Sequence, residues 1–168
     1  EEQMLFSSDG FGQHYAGFEK YDDVIGHVIM PHAKKYFANI LLLYAPLILK
    51  LIDKVTSMGL AIKTICPDHG VIWRKDPGKI IAAYDQWSRQ TPKRKAVLVY
   101  DTMWHSTELM ARAVADGMQE CGTEVKLMEL GPCHRSDVVT ELLDAKAVAF
   151  GSATLNNGIL PRMADVLC

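Results

Sequence analysis

At 168 residues, the chain is long enough for one ordinary domain or two small ones. Apolar residues make up 49% and charged residues 23%, the balance of a globular protein rather than a disordered one. With acids and bases mixed and a net charge of −2, there is no electrostatic footprint for nucleic acid or an anionic membrane.

The longest apolar stretch, Ile40 to Leu49, contains Pro46 and falls well short of the roughly 20 residues a bilayer span requires, so it reads as a buried helix. No basic segment followed by a long apolar core opens the chain, so no signal peptide is visible. Cys66, Cys121, Cys133 and Cys168 show neither a CxxC pair nor disulfide-framework spacing, which points to a reducing, cytoplasmic setting. The sequence opens without Met and stops at Cys168 inside a helix-like pattern, as an excerpt of a longer protein would.

In chain order, Met4–Ser7 reads as a short strand ending in the turn-rich Asp9-Gly10-Phe11-Gly12. From Asp22 to about Ser57 the apolar residues recur at helical spacing, and Pro31 and Pro46 should divide or kink that helix. Gly59 is its stop signal. Leu60–Cys66 alternates like a strand and runs into the loop Pro67-Asp68-His69-Gly70. Pro77–Trp87 is a helix with Pro at its start. Residues 88–95, polar, basic and broken by Pro92, are the best linker in the chain.

After the linker the rhythm changes. Strands at Ala96–Tyr100, Glu124–Leu130 and Ala147–Phe150 alternate with helices at His105–Cys121, Arg135–Ala145 and Leu160 onward. That order is the signature of a parallel sheet covered on both faces, the doubly wound α/β class.

The first of these strands leads through Asp101-Thr102-Met103-Trp104-His105-Ser106-Thr107 directly into a helix. A helix start offers unpaired N–H groups and the positive end of the dipole, which suit a phosphate. Thr102, Ser106 and Thr107 add hydroxyls. The loop lacks the lysine and glycines of a nucleoside triphosphate loop and the Gly-x-Gly-x-x-Gly of a dinucleotide site. What remains is a hydroxyl-rich nest suited to the monophosphate of a flavin mononucleotide. On spacing alone, Ser106 and Thr107 serve equally well as helix caps. A second polar loop, Gly151-Ser152-Ala153-Thr154-Leu155-Asn156-Asn157-Gly158, follows the third strand at the edge where open α/β sheets bind ligands. In the first half, Asp9 and His69 each follow a strand and sit in a loop, and both residue types ligate iron or zinc. A lone Asp or His is more often structural.

Tyr-Asp-Thr-Met-Trp-His-Ser-Thr-Glu-Leu-Met-Ala (100–111) resembles the first FMN loop of the flavodoxin-like domain in flavodiiron proteins, and Gly-Ser-Ala-Thr-Leu-Asn-Asn (151–157) resembles the second. One departure is Ala153, where the family usually has proline. Residues 1–93 resemble the C-terminal part of that family's metallo-β-lactamase-like domain, and 94–168 the start of its flavodoxin-like domain.

The resemblance implies FMN held by Thr102, Met103, Trp104, His105, Ser106, Thr107, Ser152, Ala153, Thr154, Leu155, Asn156 and Asn157. It implies two irons, with Asp9 as the bridging carboxylate, His69 as a histidine ligand and Tyr36 as a tyrosine close to the iron pair. Asp68 could orient His69 or simply be solvated, and Cys66 reads as a core residue. His14, His27, His32 and His134 read as surface or packing residues. The remaining ligands, including a His-x-Glu-x-Asp-His motif, would lie upstream of Glu1, and a third flavin loop beyond Cys168. The activity implied is reduction of dioxygen to water or of nitric oxide to nitrous oxide. Rubredoxin or a reduced deazaflavin would be the electron donor, and the assembly a head-to-tail homodimer or dimer of dimers. The alternative is a flavodoxin-like electron carrier fused to an inactive lactamase-like domain.

Overall fold

The computed structural model describes residues 3–168, so the first two residues of the 1–93 segment lie outside the described residues. The chain divides into two compact units, Glu1–Thr91 and Pro92–Cys168.

In the first unit, β1 (Met4–Ser8) pairs in parallel with β2 (Thr64–Pro67), Leu5 facing Ile65 and Phe6 facing Cys66, with an irregularity between Phe6 and Ser8. The strand expected over Leu60–Cys66 is shorter than the alternation suggests. A tight turn carries Ile62 N–H to the Leu60 carbonyl at 3.1 Å, which takes that stretch out of the ladder.

Between the strands runs a long helical segment: α1 (Asp22–Ile25), a 3₁₀ turn, α2 (Ile29–Tyr36), a π turn at Phe37–Leu41, a second 3₁₀ turn, and α3 (Ala45–Ser57). Pro31 and Pro46 do not cut it. Each falls in the first turn of an α segment just after a 3₁₀ turn, where a missing N–H costs little. Gly59, at φ +62°, lies just beyond the end of α3, as expected of the stop signal.

The run Asp22–Ser57 is therefore longer than the ten-residue apolar stretch suggests. On length and composition alone its 36 residues, with an 18-residue stretch of mean hydropathy 1.5, could cross a membrane. Within this unit its buried side chains pack inward. Phe37 lies 5.0 Å from the Tyr84 ring and 5.5 Å from the Trp87 ring, both on α4 (Pro77–Ser88). Ile29, Ala33 and Tyr36 are buried on the same run.

The second unit is a doubly wound α/β sheet in the order β4 (Glu124–Glu129), β3 (Lys95–Asp101), β5 (Ala147–Ser152), all parallel. The central β3 is buried along its whole length, which is why it reads as a continuous apolar run rather than an alternation. Its pleat splits the core in two. Val97 and Val99 join Met128, Leu130, Val138 and Met163 under α6 (Arg135–Leu142) and α7 (Pro161–Leu167). Ala96 and Leu98 join Ala115 of α5 (Ser106–Glu120) on the other face. Each fully buried valine is worth about 1.5–3 kcal/mol against exposure.

Two stretches differ from the sequence reading. The basic end of the expected linker is anchored. Lys95 is buried as the first residue of β3, and its ammonium meets Glu141 at 2.5 Å and Asp144 at 2.9 Å. Lys93 meets Asp144 at 2.9 Å, and the Arg94 guanidinium meets the Cys121 carbonyl. The second polar loop contains a hairpin, β6 (Thr154–Leu155) against β7 (Gly158–Ile159). Asn156 and Asn157 form its turn at φ +49° and +62°, the left-handed region that a two-residue hairpin loop demands. Asn-Asn followed by Gly was the signal for it.

Candidate functional site

In the second unit, Asp101 and Ser152 end paired strands at the same edge of the sheet, so the two polar loops leave it side by side. Thr107 is buried, and its methyl packs over Gly151, whose missing side chain makes that approach possible. His105 turns the chain into α5 at φ +62°, and its carbonyl accepts the first helical bond from Leu109 N–H at 3.0 Å. The cap position therefore belongs to His105, and Ser106 and Thr107 are the first two helical residues. No side chain caps this helix, which leaves its leading N–H groups for a ligand or solvent. The capping explanation for Ser106 and Thr107 does not hold.

Thr102 carries a further signal. Its hydroxyl is buried and has no hydrogen-bond partner, and a buried hydroxyl without a partner is costly. A phosphate oxygen at this loop would satisfy it. Around the loop, Met103 and Trp104 are exposed apolar groups, Trp104 at 83%, and Leu155 is exposed on the neighbouring loop. An exposed indole is suited to stacking on a flat aromatic ring.

The Ser152 hydroxyl is engaged within its own loop, donating to the Ala153 carbonyl and accepting from Leu160 N–H, both at 2.9 Å. It braces the hairpin that presents Thr154, Leu155, Asn156 and Asn157. Asp101 is an acid close to this anion-binding geometry. It is buried, accepts from Thr102 N–H at 3.0 Å, and has the Arg162 guanidinium 3.6 Å away to offset its charge. His105 Nδ1 lies 2.8 Å from Glu108, and that contact, with Arg112, holds the Glu108 carboxyl below its usual range.

In the first unit, the loops after β1 and β2 bring Asp9 and His69 together, with His69 Nε2 3.1 Å from Asp9 Oδ1. Tyr36, from α2, donates its hydroxyl to the same carboxylate oxygen at 3.4 Å. Burial, then the negative charge of Asp9, pushes the Tyr36 phenol above the usual tyrosine range, so it remains a donor. Asp68 is engaged with the other loop. It bonds the Ser8 hydroxyl at 3.1 Å and so ties the two loops. His14 packs edge-on to both Tyr36 and His69, so it joins this cluster, and no sequence spacing announced it. His134 caps α6 through Ser136 N–H.

A carboxylate oxygen and an imidazole nitrogen converging at the ends of two paired strands fit two ligands of a metal site. Among the described residues no group of three or more His, Cys, Asp or Glu could hold a metal, so the pair fits as part of a larger donor set.

A flavodoxin family model matches residues 98–167. A nitric oxide reductase from Moorella thermoacetica is 51% identical over 168 residues, covering 99% of this chain and 42% of that protein. Rubredoxin oxygen:oxidoreductase from Desulfovibrio gigas superposes with a TM-score of 0.94 at 44% identity, covering 99% of this chain and 42% of that one. The flavodiiron protein from Giardia intestinalis gives a TM-score of 0.90 at 40% identity, covering 99% of this chain and 41% of that one. The chain thus spans about two fifths of the length of these relatives. The second unit thus matches the flavodoxin family, and along nearly all of its length the chain is similar in sequence and fold to flavodiiron proteins.

Proposed function

We propose that this chain belongs to a flavodiiron oxidoreductase that reduces dioxygen to water, nitric oxide to nitrous oxide, or both. The observation that carries the reading is the buried, unpartnered Thr102 hydroxyl at the foot of an uncapped helix start, which asks for an anionic ligand.

FMN, held through its monophosphate, would supply electrons, and an iron pair would bind the diatomic substrate. The residues of this chain have distinct tasks in that scheme. Thr102, Ser106 and Thr107 lie with the leading N–H groups of α5, where such donors suit a phosphate. Trp104, with Met103 and Leu155, offers the apolar surface for the flat ring. His105 sets the chain direction into the helix, and the hairpin carrying Ala153, Thr154, Asn156 and Asn157 forms the facing wall. In the other unit, Asp9 and His69 are an oxygen and a nitrogen ligand. Tyr36 donates to Asp9, fixing the orientation of its carboxylate, as outer partners of metal ligands do.

The first unit then belongs to the diiron domain and the second to the flavin domain, which puts the boundary after Thr91 rather than after residue 93. Similarity to a rubredoxin oxygen:oxidoreductase supports a small redox protein such as rubredoxin as electron donor, with a reduced deazaflavin as the alternative. A head-to-tail dimer in the cytoplasm is the assembly and setting we propose with it.

The test is the composition and turnover of the purified protein that carries this chain. We expect FMN and two irons per subunit, with consumption of dioxygen or nitric oxide under a reductant. Zinc in place of iron with no turnover would overturn the enzyme reading. Bound FMN without metal or turnover would establish instead an electron-transfer module fused to an inactive domain.

A further inference from the structure

We infer that Gln13 is a positioning residue for the Asp9–His69 pair, an inference that rests on the metal reading above. Asp9 and His69 are themselves poorly held. Their side chains are 59% and 49% exposed, and they meet each other, Tyr36 and, at the His69 ring, the edge of His14. Their placement must therefore come from the backbone of the two loops that carry them.

Gln13 locks those loops together. Its side chain is 1% exposed, and every polar group on it is used. The carboxamide oxygen accepts from Val71 N–H at 2.6 Å, and the NH₂ group donates to the carbonyls of Phe11 at 3.0 Å and Val71 at 3.3 Å. Its own backbone N–H donates to the His69 carbonyl at 3.1 Å. His69 is thus flanked by bonds to one residue of the other loop. On the facing side, Gly12 N–H bonds the Asp9 carbonyl at 3.2 Å, and the Trp73 indole donates to the Phe11 carbonyl at 2.8 Å.

The sequence is tuned to this clamp at Gly70. Its φ is +84°, and a Cβ there would stand 1.8 Å from the Gln13 carboxamide oxygen. Only glycine satisfies both constraints. A buried glutamine is costly unless fully bonded, and this one is spent entirely on joining the two loops that carry Asp9 and His69.

The test uses the metal-free, full-length protein that carries this chain with Gln13→Met, which keeps the length of the side chain and loses its hydrogen bonds. Ile80→Ala, a buried α4 residue that bonds neither loop, is the control for general loss of stability. The first readout is the nitrogen resonances of the His69 imidazole, with amide exchange at Val71 and Gln13. Gln13→Met should move the His69 resonances and cut protection at both amides at least tenfold, while Ile80→Ala leaves the His69 resonances in place. Unmoved His69 resonances in Gln13→Met, or an equal shift in Ile80→Ala, overturn the inference. The second readout is cobalt(II) affinity, which should fall about tenfold or more in Gln13→Met and not in Ile80→Ala. Wild-type affinity in Gln13→Met also overturns the inference. A wild-type full-length protein that binds no cobalt(II), or binds it unchanged in Asp9→Asn and His69→Ala, counts against the metal reading alone. The clamp is then decided by the His69 resonances.

Discussion

The methyl group of Thr107 lies 3.1 Å from the point where a Cβ on Gly151 would stand, so the first polar loop closes onto the second through a missing side chain. The Tyr100 Cβ lies 3.4 Å from the same point. Gly151→Ala should therefore push Thr107 and the start of α5 outward. The expected loss of stability is about 1–3 kcal/mol, the usual range for overpacking. FMN affinity should fall several-fold, measured by quenching of flavin fluorescence. Affinity equal to wild type would show that the flavin does not depend on this contact.

Thr102→Val separates a ligand role from a structural one. The hydroxyl has no partner in the protein, so its loss should leave thermal stability within about 1 kcal/mol of wild type, or raise it. FMN binding should weaken by about ten- to a hundredfold, the value of one hydrogen bond to a charged group. A variant that loses stability but keeps its flavin affinity would contradict the assignment.

Lys95 gives the second unit an alkaline limit. Burial alone would push its ammonium down, yet hydrogen bonds and charges from Glu141 and Asp144 outweigh burial and hold it above the usual 10.5. A lysine raised in the folded state contributes its full stabilisation below its unfolded value. That contribution is lost as pH climbs through the higher folded value. Unfolding by urea should therefore become easier above about pH 10.5 and more so beyond it. Lys95→Met should cost about 2–3 kcal/mol at pH 7, less than a wholly buried pair, because Glu141 remains 29% exposed. It should also remove most of the alkaline loss.

Tyr36→Phe tests the phenol against the ring. The ring is buried, but the hydroxyl bond to Asp9 is long at 3.4 Å, so stability should change by less than about 1 kcal/mol. If Tyr36 orients the carboxylate, metal affinity should drop several-fold while the melting temperature barely moves. Metal binding unchanged in this variant would make Tyr36 a packing residue.

The second unit was legible because its signals are local. An apolar run at Ala96–Tyr100, a hydroxyl-rich turn and an amphipathic helix each announce themselves within a few residues, and the parallel three-stranded sheet follows. The turn Asn156-Asn157 was present as a local signal too, but the polar loop around it hid a hairpin only two residues long on each side. Residues 93–95 misled for a different reason. Basic residues next to Pro92 read as solvated linker, whereas Lys95 is buried against acids more than forty positions away.

In the first unit, Asp9 and His69 could be nominated singly, by residue type and by their place after strands. Their 3.1 Å approach could not be read, because it depends on the parallel pairing of β1 with β2 across the whole helical run. Gln13 and His14 carried no local signal at all. A glutamine between a glycine and a histidine looks solvated until a distant loop supplies its partners.

The sequence by itself determined most of the elements, the doubly wound order of the second unit, and the residue types from which a phosphate nest and a pair of metal donors could be built. Those follow from periodicity and local backbone preference, which act over a few residues. The tertiary structure decided which of those residues meet. It assigned the helix cap to His105, left the Thr102 hydroxyl buried without a partner, and joined the Asp9 and His69 loops through Gln13. Each is a hydrogen-bonding outcome set by which groups lose water when distant segments pack, and no short window of sequence contains that information.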